Sequence, residues 1–109
     1  MLISISDRSG DLDEQLKELT ERRILFALSR YDSRIERVEV VFEDENGPRG
    51  GIDKSCRVAV SMARGADVVV TNRDDQIARC ISRAAERAGR AVARTVARSQ
   101  HFDRIRISQ

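Results

Sequence analysis

The sequence predicts an α+β fold, a two-layer sandwich in which a four-stranded sheet carries two helices on one face. Two observations predict this class. Apolar patterns with the period of a strand or of a helix follow one another in the order β-α-β-β-β-α. Both predicted helices are amphipathic, and only one face of the predicted sheet is apolar, so both helices are expected to cover that face.

The first strand is predicted at residues 2–6, LISIS, where apolar and polar residues partly alternate. Gly10 and Asp11 mark a turn, and either Asp11 or Asp13 is expected to cap the helix that follows. That helix is predicted to extend to about Ser29. Its predicted apolar stripe consists of Leu12, Leu16, Leu19, Ile24, Phe26 and Ala27.

Three further strands are predicted at residues 35–43, 54–63 and 67–71, and residues 44–51, DENGPRGG, form a loop of turn-forming residues. A right-handed crossover makes the first two strands parallel neighbours, and hairpins add the others. The residues expected to face the core are Val38, Val40 and Phe42, followed by Cys56, Val58, Val60 and Met62.

The last helix is predicted at about 74–98, with Asn72 or Asp74 as its cap and Gly89 at a close contact. Residues 1–98 are expected to form one domain, and residues 99–109 a flexible tail. The predicted apolar face of this helix consists of Ile77, Ile81, Ala84, Ala88, Ala91, Val92 and Thr95.

Six arginines recur on one face of this last helix, and we call them the arginine row: Arg79, Arg83, Arg87, Arg90, Arg94 and Arg98. At about 100° per residue they fall within a sector of roughly 100°. Like charges at this spacing destabilise a helix, and Glu86 is the only acid between residues 79 and 98. Arginine also makes bidentate phosphate contacts. The row therefore predicts a polyanionic partner, which at this point can be RNA, DNA or an acidic protein.

The charge of the chain is unevenly distributed, which supports a localised basic surface. Residues 1–48 contain seven basic and twelve acidic residues, a net charge of −5, whereas residues 49–109 contain thirteen and six, a net charge of +7. Arg22, Arg23 and Arg30 lie late in the first helix and are expected to join the patch. Arg49, Lys54 and Arg57 are candidates to extend it.

The sequence gives little support for an enzyme, a cofactor or a metal site. No glycine-rich phosphate loop lies between a strand and a helix, and no Ser/His/Asp arrangement is present. Cys56 and Cys80 are predicted to be free thiols, buried or half-buried, and His101 a surface residue. No segment is apolar enough to span a membrane, and no secretion signal is recognisable, so the cytoplasm is expected. Only four aromatic residues are present, which favours phosphate and shape recognition over base stacking across the sheet.

Three segments resemble the ribosome hibernation-promoting factor / ribosome-associated inhibitor family, also called sigma-54 modulation proteins. These segments are RILFALSRY at residues 23–31, NGPRGGIDK at residues 46–54 with Cys56 and Arg57, and RAAERAGRAV at residues 83–92. The resemblance spans nearly the whole chain in the same element order, and the NGPRGGIDK loop is its most specific part.

The resemblance implies a fold like that of double-stranded-RNA-binding domains and a place between the head and body of the small ribosomal subunit. There the protein would block the path of mRNA and of the A- and P-site tRNAs in stress or stationary phase, without bond chemistry. The family's RNA-contacting role falls by position on Arg79, Arg83, Arg87, Arg90 and Arg94 of the last helix, and on Arg22, Arg23 and Arg30 of the first.

Two departures from the family pattern bear on this expectation. The last helix begins Gln76-Ile77-Ala78-Arg79-Cys80-Ile81, without the tyrosine that many members carry there. The chain ends at Gln109, so we expect the short form, a monomer or weak homodimer without the dimerisation domain of long-form members. Two other functions remain open: a regulatory module that binds an acidic protein, in line with the sigma-factor name, and a general binder of structured RNA. Neither DNA nor a membrane is an expected partner.

Overall fold

The computed structural model describes residues 1–8, 12–44 and 54–107, with side chains as far as residue 100. The predicted order β-α-β-β-β-α is confirmed, with one additional 3₁₀-helix after the first α-helix. The elements are β1 (Leu2–Asp7), α1 (Glu14–Leu28), the 3₁₀-helix (Ser29–Arg34), β2 (Ile35–Asp44), β3 (Lys54–Met62), β4 (Val68–Asp74) and α2 (Ile77–Ile107).

The four strands form one mixed sheet in the order β1-β2-β3-β4. The predicted parallel pairing of β1 with β2 is confirmed, and it places Ile5 opposite Val40. The strands β2, β3 and β4 pair antiparallel, as hairpin connections require. Gly65 turns the chain between β3 and β4 with a φ of 85°, a conformation that favours glycine. The sheet therefore has two edges, β1 and β4.

The core lies between one face of this sheet and the two helices. The predicted inward residues of β2 and β3 are buried, and Phe42 is the largest fully buried side chain. On α2, the predicted apolar face is confirmed by fully buried Ile81, Ala84, Ala88 and Val92. The opposite face of the sheet carries no helix among the described residues. The predicted two-layer sandwich is thus confirmed.

The helix α1 begins where its cap was expected but presents a different buried stripe. The carboxylate of Asp13 accepts a hydrogen bond of 2.6 Å from the backbone N–H of Gln15 and caps the helix. Thr20, Ile24 and Leu28, spaced four apart, are fully buried. The prediction for Phe26 was wrong: its side chain is 88% exposed. At 100° per residue, Phe26 lies about 200° around the helix from Ile24, on the outer side.

The helix α2 continues well beyond the predicted end at residue 98 and reaches Ile107. No glycine or proline follows Gly89, so the sequence offers no residue that would stop the helix there. The predicted helix end was therefore wrong, whereas the flexibility expected of residues 99–109 stays a prediction. The predicted close contact at Gly89 is confirmed: a Cβ atom there would lie 3.2 Å from the backbone oxygen of Ala27 in α1.

The remaining boundaries differ from prediction by a few residues, because strand ends depend on pairing partners. The fourth strand continues three residues past the predicted end, to Asp74, which pairs with Lys54 of β3. The predicted loop lies outside the described residues except for Asp44, as does the alternative cap Asp11. Neither α-helix, over its described part, has an apolar stretch that could cross a bilayer.

Candidate nucleic-acid interface

All six side chains of the arginine row are exposed on α2, as the sequence predicted. The buried face of the same helix points to the sheet, so the row lies on the outer surface of the protein. From Arg79 to Arg98 it extends about 28 Å at 1.5 Å per residue. The six arginines are nevertheless not equivalent, because their local contacts differ.

Arg79 is held by two carboxylates at the corner between β4 and α2. Its Nε and Nη2 atoms lie 2.7 and 2.8 Å from the two carboxylate oxygens of Asp74, and Nη2 also lies 2.9 Å from Asp75. Asp74 in turn accepts a hydrogen bond from the backbone N–H of Gln76, just before the helix. These contacts fix the start of α2 and occupy part of the donor set of Arg79 within the protein.

The pKa values of this corner follow from the same contacts. The hydrogen bonds from Arg79, and then the one from the Gln76 N–H, hold the pKa of Asp74 well below its usual range. The same pairing with Asp74 raises the pKa of Arg79. Both groups therefore stay ionised at neutral pH. The helix start predicted at about residue 74 was wrong, because Asp74 ends β4 and α2 begins at Ile77. Asp74 accepts its backbone hydrogen bond from Gln76, which precedes the helix, so the Asp74–Asp75 pair has a structural role in the turn into α2.

Arg87 makes a contact of a different kind, with the edge of the sheet. Its Nη1 atom donates a hydrogen bond of 2.7 Å to the carbonyl oxygen of Thr71 in the edge strand β4. This bond restricts the side chain and satisfies one carbonyl of the edge. No acid compensates its charge among the described residues, so Arg87 still contributes to the positive potential.

The other four members of the row have no hydrogen-bond or ion-pair partner within the described part of the chain. We call them the free arginines: Arg83, Arg90, Arg94 and Arg98. An exposed guanidinium without a local partner keeps its full set of donors for a ligand. The free arginines therefore form the part of the row that is available to phosphates.

Two of the three arginines predicted late in the first helix lie beside α2, although Arg30 belongs to the 3₁₀-helix that follows α1 rather than to α1 itself. Arg30 and Arg90 line the same groove between the helices, and Arg23 lines a smaller adjoining pocket beside Glu86. The guanidinium of Arg30 lies 5.9 Å from the ring centre of Tyr31. Arg22 is also exposed, but it lies about 100° around the helix from Arg23. The structure thus joins the basic residues of both helices across the groove.

Of the three residues expected to extend the patch, the two that the structure describes contribute little to it. Lys54 is half-buried and forms an ion pair of 2.7 Å with Asp44 at the end of the β2–β3 pair. Arg57 lies on the face of the sheet opposite the helices, because its neighbours Cys56 and Val58 face the core. Arg49 lies outside the described residues.

Phe26 lies in the groove between the helices, although its sequence position was expected to be part of the buried stripe of α1. It lines the groove together with Arg30 and Arg90, and its ring is almost fully exposed. The signal was present in the sequence, because the spacing of Ile24 and Leu28 fixes the buried line of α1. A residue midway between them must point away from that line.

The described part of the chain contains neither an exposed thiol nor a cluster of metal-binding side chains. Cys56 and Cys80 are free and buried, as predicted. Burial is the main cause that raises the pKa of both thiols, and for Cys56 the neighbouring Cys80 adds to it. The Sγ of Cys80 donates to the carbonyl oxygen of Asn72 at 3.1 Å. The described His, Cys, Asp and Glu residues include no group of three that could hold a metal ion.

Comparison with known proteins identifies the family. No curated protein matches the chain. The solved structures that share this fold include the following two. One is a ribosomal subunit interface protein from Coxiella burnetii, with 16% identity and a TM-score of 0.73, covering 89% of this chain and 99% of the other. The second is the N-terminal domain of Thermus thermophilus Protein Y, with 21% identity and a TM-score of 0.70, covering 86% of this chain and 98% of the other.

Sequence identities of 16% and 21% show only a common fold. The family is shown by a match to a protein-family model. The model described as sigma 54 modulation protein / S30EA ribosomal protein matches residues 3–100, which is nearly the whole of the 109-residue chain. The matched segment contains all four strands, α1, and α2 as far as residue 100. The chain belongs to the sigma 54 modulation protein / S30EA ribosomal protein family.

Proposed function

We propose that this protein is a ribosome-associated translation inhibitor that binds the RNA of the small ribosomal subunit through the outer face of its helices. The observation that carries the proposal is the set of free arginines, Arg83, Arg90, Arg94 and Arg98, exposed on α2. Members of the family are non-enzymatic ribosome-binding factors. One relative in fold is named a ribosomal subunit interface protein.

The spacing of the free arginines suits a phosphate backbone. A nucleic-acid duplex presents one phosphate about every 1.7 Å of its axis, both strands counted, so the row faces more phosphates than it has arginines. Each free guanidinium can form two parallel hydrogen bonds with a phosphate. Arg87 adds positive charge to this surface, although its hydrogen bond to Thr71 restricts the side chain. The surface therefore favours a rigid, folded RNA, such as ribosomal RNA.

The proposed mechanism is occlusion. A bound domain whose long helix lies along ribosomal RNA would exclude mRNA and the A- and P-site tRNAs from the decoding region, and no covalent step is needed. Such a factor would act in the cytoplasm during stress or stationary phase, as a monomer or weak homodimer, and without a cofactor.

A regulatory protein-binding function is the second candidate, because the family description includes sigma-54 modulation. An acidic surface on a partner protein would also bind the free arginines. It would show no preference for ribosomes over other complexes in the cell.

Sedimentation separates these functions. A lysate from stationary-phase cells is fractionated on a sucrose gradient at low salt, and the protein is detected across the gradient by immunoblotting. Migration with small subunits or whole ribosomes, lost at high salt, is the expected result. Absence from every ribosomal fraction at low salt would refute the proposal. Migration with a non-ribosomal protein complex would favour the regulatory function. In a separate competition experiment, displacement of the protein from ribosomes by excess structured RNA would measure its preference for the ribosome.

A further inference from the structure

Phe26 is an exposed aromatic side chain, so packing in the core does not explain why an aromatic residue stands at this position. Of the three aromatic residues whose side chains are described, Phe42 is buried, Tyr31 is half-buried, and Phe26 is 88% exposed. An exposed aromatic ring loses the burial energy that such a residue normally contributes, which makes it a candidate for contact with a ligand. It lies on the side of α1 that faces the basic groove.

The groove beside Phe26 is large enough for a nucleotide and has a shallow floor. Its volume is about 660 Å³, within the range of small-molecule sites. The floor is shallow because α1 and α2 approach closely at Gly89, where no side chain separates it from Ala27. The lining residues that carry the argument are Phe26, Arg30, Glu86 and Arg90.

The chemistry of this lining matches the parts of a nucleotide. An aromatic ring offers a stacking surface for a base, and Arg30 and Arg90 offer donors for the flanking phosphates. Glu86 is the single acid within the arginine row, and it lines the same groove. A carboxylate there can accept a hydrogen bond from the exocyclic amino group of cytosine, a contact that uracil lacks.

The charges of the groove favour a nucleotide over two other possible ligands, a second copy of the protein and an acidic peptide. A second copy of the protein, docked through Phe26, would bring its own Arg30 and Arg90 against those of the first copy and would be repelled. An acidic peptide would be attracted by the arginines but repelled by Glu86. A nucleotide carries its negative charge on the phosphate and its hydrogen-bond donors on the base, so it satisfies both charges of the groove.

We propose that the groove between α1 and α2 holds one unstacked nucleobase of the bound RNA, stacked on Phe26, with Glu86 selecting cytosine over uracil. The inference rests on the proposed function, since the free arginines must first hold the RNA. It adds a base-reading contact to a surface that otherwise recognises only phosphates.

The first test compares Phe26→Ala with Leu25→Ala, its matched control. Leu25 is the adjacent exposed apolar residue, 46% exposed, and it points about 100° away around α1. Binding of fluorescein-labelled single-stranded oligocytidylate and oligouridylate is measured by anisotropy. Phe26→Ala is expected to weaken oligocytidylate binding about 5- to 150-fold, the loss from one base–aromatic stack. Phe26→Trp should retain binding, and Leu25→Ala should match the wild type.

The second test uses Glu86→Gln and reads the preference between the two oligonucleotides. Removing this acid from the arginine row raises affinity for any RNA, so the informative quantity is the ratio of the two dissociation constants. The wild type is expected to prefer oligocytidylate about 5-fold or more, the value of a base-edge hydrogen bond, and the variant to lose most of that preference. A wild type that binds both oligonucleotides equally would refute the assignment of Glu86.

The outcomes separate this inference from the proposed function. Wild-type oligocytidylate affinity in Phe26→Ala, or no binding of either oligonucleotide to the wild type at low salt, would overturn the groove inference while sedimentation with ribosomes still stood. Weaker ribosome binding by Phe26→Ala with an unchanged salt dependence would support it, because no phosphate contact is removed. Absence of the wild type from ribosomes would instead refute the function on which the inference rests.

Discussion

The contacts of the arginine row predict that its free members contribute to RNA binding, whereas Arg79 contributes to the stability of the fold. In one variant, Arg83, Arg90 and Arg94 are changed together to Gln, and we expect weaker RNA binding with unchanged stability, because these side chains have no partner within the described part of the chain. In the matched variant, Arg79→Gln, we expect the reverse. It removes the hydrogen bonds to Asp74 and Asp75 but little of the RNA contact.

The size of the effect follows from counterion release. Each phosphate neutralised by a protein contributes about 0.9 to the slope of log affinity against log salt concentration. Loss of three such contacts should therefore reduce the magnitude of the slope by about 3. Across a fourfold range of salt concentration, the wild type should lose about 40-fold more affinity than the triple variant. Arg79→Gln should leave the slope within about one unit of the wild-type value.

The assay is binding of purified protein to purified small subunits over a series of potassium chloride concentrations, with thermal unfolding of each variant measured in parallel. Equal slopes for the wild type and the triple variant would refute the assignment of the free arginines to phosphates. A slope reduced as much by Arg79→Gln as by the triple variant would refute the division of the row. A lower melting temperature only for Arg79→Gln would support it.

Three further predictions concern the fold that carries this surface. Gly89→Leu should lower the free energy of unfolding by about 1–3 kcal/mol in urea titration, because even a Cβ atom at this position lies 3.2 Å from the backbone oxygen of Ala27 in the facing helix. An unchanged free energy of unfolding would contradict that contact. Because the pKa of Asp74 is lowered in the folded state, its pairing with Arg79 stabilises the protein above about pH 4 and is lost as pH falls below that value. The difference in melting temperature between wild type and Asp74→Asn should therefore shrink on acidification, and a constant difference would contradict the pairing. Cys56 and Cys80 should react with a colorimetric thiol reagent at neutral pH only after denaturation, because burial raises both pKa values and covers both sulfurs; prompt reaction in the native protein would contradict their burial.

Most of the fold could be predicted because its apolar periodicities are clear. The alternation of Val38, Val40 and Phe42 fixed the inward face of β2, and the spacing of Ile81 and Ala88 fixed that of α2. The end of α2 could not be found in this way, since the apolar pattern fades before the helix ends. Helix formers without a stop signal continue a helix even where no apolar stripe marks it.

The sequence could predict which face of α2 carries the arginines, but not which of those arginines are paired. The spacing of the arginines placed all six on one face, and that required only the geometry of a helix. Which of them are paired depends on Asp74, which belongs to a different element, so a helical pattern cannot show it. Arg57 was a different case: its position between Cys56 and Val58 already placed it on the other face of the sheet. Strand alternation could have excluded it.

The division of the arginine row also explains how α2 tolerates so much like charge. Four pairs of neighbouring arginines from Arg83 to Arg98, counting Arg87, repel one another by a few tenths of a kcal/mol each, about 1–2 kcal/mol in all. At the start of the helix, Asp74 and Asp75 compensate Arg79 within the protein. Farther along, Glu86 is the only acid before residue 98, and it lines the groove. The remaining repulsion is offset only when a polyanion binds, so the same residues that weaken the free helix strengthen the complex. A sequence that compensates the first arginine and leaves the later ones free thus concentrates its binding energy beside the groove where Phe26 is exposed.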